Sequence, residues 1–243
     1  MSIREKLEKL TYAAGKLALA DQALNVMGGL QKYVFLKRLD LMARYNGGWV
    51  LVTGATSGIG KAYAMELAKE GFNVILIARN AEALVATERD ILAGSAAAGK
   101  HIKVKTVVFD YNTLDSLEAA RNYMKLLHEV TKDLDLSIVI NNVGCYIIEH
   151  FVTDTAEFAS EMINVNIKSQ VYTTKALLPG LLARKPKAAI ISVTSNPQST
   201  PLQLTTMYSA AKIFNYTFSR SLRDAYGKQV DVLTVVPSST KSN

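Results

Sequence analysis

The chain is short of the residues that define small secreted or membrane-spanning proteins. It has one cysteine, Cys145, in 243 residues. No intrachain disulfide can form, which suits a reducing compartment such as the cytosol, a matrix or the cytosolic face of a membrane. Cys145 itself is read as either a small buried residue or a catalytic thiol. There are five prolines, and no repeat or low-complexity tract stands out. A bilayer span takes about 20 apolar residues; the longest uncharged stretch near the N-terminus, residues 22–31, is too short for that. Glu5 and Glu8 argue against a secretory leader. Net charge is +7. That is either a solvated lysine excess or an attraction to phosphorylated cofactors, CoA thioesters, anionic membrane or nucleic acid. No basic run with interleaved aromatics supports nucleic acid, and no metal is called for. The rest is ordinary for a globular protein, 49% hydrophobic and 20% charged, and the length fits one α/β domain with ample core.

Residues 1–48 form an arm that precedes the main domain, 49–243. Leu17, Ala20, Leu24, Met27, Leu30 and Val34 recur at three- and four-residue intervals, the mark of an amphipathic helix. Gly28-Gly29 interrupts the pattern and would hinge it. Lys32, Lys37, Arg38 and Arg44 add positive charge near its end. Such an arm is an interfacial membrane helix, a docking helix for a partner chain, or a helix packed on its own domain. Asn46-Gly47-Gly48 is the turn that ends it.

From Trp49 onward, strand and helix patterns alternate. The strands are expected at Trp49–Thr53, Asn73–Ala78, Lys103–Phe109, Leu136–Asn141, Ala188–Val193 and Val230–Val236. The helices are expected at Lys61–Glu70, Glu82–Leu92, Leu114–Val130, Ala156–Leu182 with a break near Pro179, and Tyr208–Tyr226. Gly94 to Gly99 reads as a small-residue connection. Val- and Ile-rich strands separated by helices imply a single doubly wound parallel sheet, covered on both faces. Ligands bind beyond the carboxyl ends of such strands.

Chemistry-bearing residues fall at those ends. After the first strand comes Gly54-x-x-x-Gly58-x-Gly60, followed at once by a helix. The loop Gly54, Thr56, Ser57, Gly58, Ile59 and Gly60 lets backbone N–H groups approach an anion, and the helix N-terminus adds its positive end. The spacing differs by one residue from the usual dinucleotide fingerprint. The second strand ends Ala78-Arg79. An acidic residue here would bind a ribose 2′-OH, whereas an arginine accommodates a 2′-phosphate, so NADPH is favoured over NADH. Asp110, ending the third strand, would accept from the adenine amino group. Tyr208 and Lys212 stand at i and i+4 on one helix face. A lysine cation beside a phenol lowers its pKa, making an acid/base unit suited to carbonyl chemistry. Ser195 would hold a substrate carbonyl oxygen beside Tyr208; the bland alternative is a turn serine. Asn166 interrupts an apolar helical pattern, and holding a water that bonds Lys212 is one reason for it to be there.

Taken together, Thr53-Gly54-x-x-x-Gly58-x-Gly60, Asn141-Asn142-Val143-Gly144, Asn166, Ser195 and Tyr208-x-x-x-Lys212 resemble the short-chain dehydrogenase/reductases, from Trp49 to Pro237. The resemblance implies that Tyr208 is the general acid/base, that Lys212 lowers its pKa and binds the nicotinamide ribose, that Ser195 orients the substrate, and that Asn166 anchors a relay water. Asn142 joins the cofactor contacts. The stretch from Trp49 to Ala64, the variant Asn-Asn-Val-Gly, and Pro201 to Lys212 are similar to the very-long-chain 3-oxoacyl-CoA reductases and related 17β-hydroxysteroid dehydrogenases. That branch implies NADP(H), a ketone or secondary alcohol on a lipid-like substrate, oligomers, and the cytosolic face of the endoplasmic reticulum membrane, with the mitochondrion as alternative. The chain departs from the branch in three ways. It has the amphipathic arm where members carry a transmembrane segment. It has Pro237-Ser238 where Pro-Gly is usual. It ends at Asn243, ahead of the usual lid helices and last strand, so the substrate pocket is expected to be open on one side or completed by a partner. A different reading follows from this: an accessory or structural subunit of a larger membrane complex that keeps the fold and a bound nucleotide.

Overall fold

Six short runs rich in Val and Ile pair into one sheet: β1 (Trp49–Thr53), β2 (Asn73–Ala78), β3 (Val104–Val108), β4 (Leu136–Asn141), β5 (Ala188–Val193) and β6 (Val230–Val235). In the computed structural model the order is β3-β2-β1-β4-β5-β6, and every pairing is parallel. The structure describes residues 39–146, 148, 150–196 and 203–238, with Lys16 and Met27. The chain divides into two units, residues 1–40 and 41–243, and the account below is of the second. The helix expected over Leu17 to Val34 lies outside the described residues apart from Met27, as do 197–202 and 239–243.

The four central strands β2, β1, β4 and β5 are buried almost throughout and have no polar face, as a parallel sheet covered on both sides requires. Val50, Val52, Val74, Leu76, Ile138 and Ile140 point to one side. Leu51, Ile75, Ile77, Val139 and Ile190 point to the other. The first face is covered by α2 (Gly58–Glu70) and α3 (Ala81–Ala97), through Ala64, Leu67, Leu84 and Ile91. The second is covered by α4 (Leu117–Thr131) and α6 (Ser169–Ala183), through Tyr123, Leu127, Leu177 and Leu181. Two further helices, α5 (Ala156–Ile163) and α7 (Thr206–Tyr226), complete the layers. A short helix α1 (Leu41–Tyr45) precedes β1. Arg44 from α1 pairs with Asp231 of β6 at 2.6 Å, and the Tyr45 hydroxyl donates to the same carboxylate at 3.0 Å.

Local chemistry sets the helix starts. Asn80 Oδ1 accepts from Ala83 N–H at 2.9 Å, Ser116 Oγ from Ala119 N–H at 3.1 Å, and Thr155 Oγ1 from Phe158 N–H at 3.1 Å. Each satisfies an orphan first-turn donor. Two expectations need correction. The Gly94–Gly99 stretch is not a connection throughout, because α3 runs through it to Ala97. The alanines there are strong helix formers and outweigh one glycine. The long helix does not break at Pro179, which lies inside α6. It breaks at a π-helical turn, Asn164–Lys168. There the Asn166 amide donates to Met162 O at 3.1 Å and Ser169 Oγ to Val165 O at 2.5 Å, so side chains take carbonyls that a regular ladder would use.

Candidate active site

The strand order reverses between β1 and β4, so the loops after these strands diverge and leave a crevice at the sheet's carboxyl edge. Thr53, the last residue of β1, ties the two loops. Its hydroxyl donates to Ile140 O at 3.3 Å and accepts from the N–H groups of Asn142 and Val143 at 3.0 and 3.1 Å. The Asn142 amide donates back to Thr53 O and Gly54 O at 3.0 and 3.1 Å. Gly60 is needed beneath this contact, since a Cβ there would collide with Gly54 O and the Asn142 amide.

Above the tie lies a cavity of about 980 Å³. Gly54, Thr56, Ser57, Gly58 and Ile59, ahead of α2, line it. Ser57 occupies the N-cap position of α2 without a side-chain cap bond, so the first-turn N–H groups face the cavity uncapped. Arg79 and Asp110 also line it. Arg79 is exposed, makes no ion pair or hydrogen bond among the described residues, and sits just before the N-terminus of α3. Asp110 Oδ1 accepts from Asn112 N–H at 3.0 Å.

Asn142, Ser195, Tyr208 and Lys212 line the same space. Of the residues expected to form the site, Gly60 and Asn166 alone stand outside the lining; both are buried directly behind it. The Ser195 hydroxyl stands close enough to the Tyr208 phenol to favour its charged form. Lys212 is 4% exposed, and among the described residues its one acceptor is Val193 O at 3.4 Å. Burial pushes its pKa down from 10.5 to about 8. The Tyr208 phenol does not show the expected depression. Partial burial raises its pKa above 10, the nearby Ser195 hydroxyl opposes the rise, and the neighbouring Tyr146 adds to it. Lys212 Nζ stands 5.5 Å from the Tyr208 ring centroid, too far to outweigh the loss of water around the phenolate.

Asn166 acts through the backbone. Its Oδ1 accepts from Cys145 N–H at 3.2 Å, and its Nδ2 donates to Cys145 O at 3.2 Å. Gly144 is squeezed between neighbours: a Cβ there would lie 2.9 Å from Asn166 Oδ1 and 3.2 Å from Lys212 Nζ. The Cys145 thiol is half-buried, lies 3.4 Å from Met162 Sδ, and has its pKa raised by burial. A thiol in that state is a poor nucleophile.

Two lining residues carried no sequence signal of their own. Tyr146 meets the Tyr208 ring edge to face, centroids 4.8 Å apart at 76°. Its only hint was adjacency to the Asn141–Gly144 motif. Glu161 lines the cavity from the end of α5, and an acidic residue in an amphipathic helix gives no sign of where it points.

The residues fit a dinucleotide. Uncapped helix N–H groups, a guanidinium without a partner among the described residues and a buried ammonium all line one cavity. The sequence model of the family described as short chain dehydrogenase matches residues 48–243. The chain is 35% identical over 239 residues to "Very-long-chain 3-oxoacyl-CoA reductase-A" of Danio rerio, covering 95% of this chain and 70% of that protein. It is 35% identical over 203 residues to "Inactive hydroxysteroid dehydrogenase-like protein 1" of Homo sapiens, covering 82% of this chain and 58% of that one. The chain therefore spans between 58% and 70% of these relatives' lengths. Among solved structures, a short-chain dehydrogenase from Sphingobium yanoikuyae in complex with NADPH superposes with a TM-score of 0.70 at 27% identity, covering 80% of this chain and 72% of that one.

Proposed function

The chain belongs to the short-chain dehydrogenase family, and from that premise we propose that it is an NADPH-dependent oxidoreductase acting on a ketone or secondary alcohol of a lipid-like substrate, a 3-oxoacyl-CoA or a ketosteroid. The observation that carries the reading is the meeting of Ser195, Tyr208 and Lys212 in one cavity that the glycine loop and Arg79 also line. NADP(H), when bound, would supply or accept the hydride. Gly54 to Gly60 and the N-terminus of α2 would hold its diphosphate, Arg79 its 2′-phosphate, Asp110 its adenine amino group, and Asn142, Tyr208 and Lys212 its nicotinamide ribose.

Ser195 would donate to the substrate carbonyl oxygen and hold it against Tyr208. The phenol O–H bond breaks, the alcohol O–H bond forms, and the charge is left on the Tyr208 oxygen. The Lys212 ammonium and the Ser195 hydroxyl then stabilise that phenolate. A raised Tyr208 pKa keeps the proton available at neutral pH, which suits the reductive direction. Asn166 holds the backbone of Cys145 and so keeps Gly144 against Lys212. In our reading it also anchors a water for Lys212. The site would be served at the cytosolic face of the endoplasmic reticulum membrane, with residues 1–48 contacting lipid or a partner chain. Among the described residues no helix is long and apolar enough to cross a membrane.

The test is an NADPH-oxidation screen over 3-oxoacyl-CoA chain lengths and ketosteroids, with Tyr208→Phe as control. Turnover in that variant should fall at least about a hundredfold, with NADPH binding retained. A Tyr208→Phe protein that keeps the wild-type rate on a verified substrate would overturn the assignment. A second reading, an accessory subunit that retains the fold and a nucleotide, draws on the relative named inactive. It predicts a fixed place in a larger complex by native mass and no NADPH oxidation on any ketone.

A further inference from the structure

The buried face of α7 is polar. Tyr208, Lys212, Asn215 and Ser219 follow one another at helical spacing, and the last three are buried. Ser219 has its partner: Gln170 Nε2 lies 3.1 Å from its Oγ and 3.1 Å from Ser192 Oγ. Asn215 is only half satisfied. Its Nδ2 donates to the main-chain O of Asn166 at 2.9 Å. That contact orients the amide, because only its N–H end can face a carbonyl. Its Oδ1 is buried and has no hydrogen-bond partner among the described residues. One turn earlier on the same face is Lys212, whose three N–H donors have a single acceptor among the described residues, Val193 O at 3.4 Å.

Idle donors and an idle acceptor thus occupy i and i+3 of one buried helix face, where side chains are neighbours. Each oxygen of Asn166 already accepts one hydrogen bond, so a water that it anchors for Lys212 has need of a second acceptor beside it. Oδ1 accepts from Cys145 N–H, and the main-chain O accepts from Asn215. A buried polar atom left without a partner is rare, and a bound water with two to four polar contacts is the common remedy.

We propose that Asn215 is a positioning residue for Lys212: its Nδ2 pins Asn166 in the π-helical turn, and its Oδ1 holds a water to which Lys212 Nζ donates. The inference rests on the reductase reading for its consequence in turnover, though not for the water itself. The water gives the ammonium an acceptor on the side away from substrate. The charge is thereby sustained and Nζ is aimed. The titratable groups that face Lys212 are Tyr208 on its own helix and Cys145 on the loop after β4.

The decisive experiment is a high-resolution crystal structure of the full chain, with and without NADP. Ordered density within hydrogen-bond distance of both Asn215 Oδ1 and Lys212 Nζ is expected in each. Density absent there, or an Oδ1 paired with a protein group, overturns the proposal. Kinetics supply a second readout. Asn215→Leu should lower kcat about tenfold or more, leave the KM for NADPH within about threefold, and move the alkaline limb of the rate profile to lower pH, because the ammonium has lost an acceptor. Asn215→Ser, which keeps an oxygen, should restore most of the rate and the profile. A leucine variant with the wild-type pH profile, or a serine variant no better than leucine, also overturns it. If the wild type oxidises no NADPH with any ketone, the reductase reading fails, and the crystal density still decides the water site.

Discussion

Lys212 shows what burial of one charged side chain does. Its pKa is pushed down to about 8, so below that pH the folded protein carries a cation that it solvates poorly. That penalty is fully present below about pH 8. Between about 8 and 10.5 the unfolded chain binds more protons than the folded one, so stability rises with pH until the penalty has gone. The implied cost is on the order of 3 kcal/mol. Lys212→Met should therefore abolish turnover while making the ligand-free protein more stable at pH 7. The gap between variant and wild type in urea unfolding should close as pH is raised through 9 toward 10. A gap that stays constant with pH would show that the lysine is not charged and strained as described. Arg79 is the opposite case, an exposed cation with no ion pair or hydrogen bond among the described residues. Arg79→Asp should weaken NADPH at least about tenfold, in line with loss of a charge-assisted bond, and change NADH little. Equal losses for both cofactors would remove the 2′-phosphate argument.

At the scale of elements, the site depends on three backbone pieces brought close enough to exclude a methyl group. The loop after β4, the π-helical turn and α7 meet at Gly144. Gly144→Ala would place a Cβ 2.9 Å from Asn166 Oδ1 and 3.2 Å from Lys212 Nζ, so one of them must shift. We expect kcat to fall more than tenfold, about the size of effect seen when reacting groups are misplaced by roughly an ångström. Stability should fall by only about 1–3 kcal/mol, the usual range for overpacking. A variant with the wild-type rate would mean that the loop can give way without cost to the site. The same π-helical turn explains why Asn166 sits inside an otherwise apolar pattern. Its amide holds Cys145 and a carbonyl of the preceding turn, bonds that a regular helix has no room for.

For the molecule as a whole, one sheet carries everything. Both faces are closed by helices, so the strand ends, where main-chain groups run out of ladder partners, form the one edge where a ligand can meet backbone from several loops. Ligand binding at such a seam ties together β1, β4, β5, α2 and α7, and should stabilise the fold as a unit. NADPH at a hundred times its Kd should add about 3 kcal/mol to unfolding stability, read as a rise in Tm. NADH at the same concentration should add distinctly less. Equal shifts for the two would argue against a 2′-phosphate contact.

Much of this was legible in the sequence. Runs such as Val50-Leu51-Val52 and Val74 to Ile77 are apolar on both sides, which only a doubly covered parallel sheet tolerates. Their bounds follow from the glycines, asparagines and caps around them. The glycine loop, Arg79 and the Tyr208/Lys212 pair were visible because their chemistry depends on spacing along one element. Other features became visible only once the chain was folded. Thr53 meets Asn142, Tyr146 meets Tyr208, and Asn215 meets Asn166 across gaps in sequence that no local pattern reports. The protonation of the site belongs to the same class. From spacing alone, Lys212 should depress the Tyr208 phenol. In the folded protein, burial of both groups weakens that effect and depresses Lys212 instead. Sequence determines which groups stand on a face. Solvent exclusion, which sets how strongly their charges act, is decided only by what packs above them.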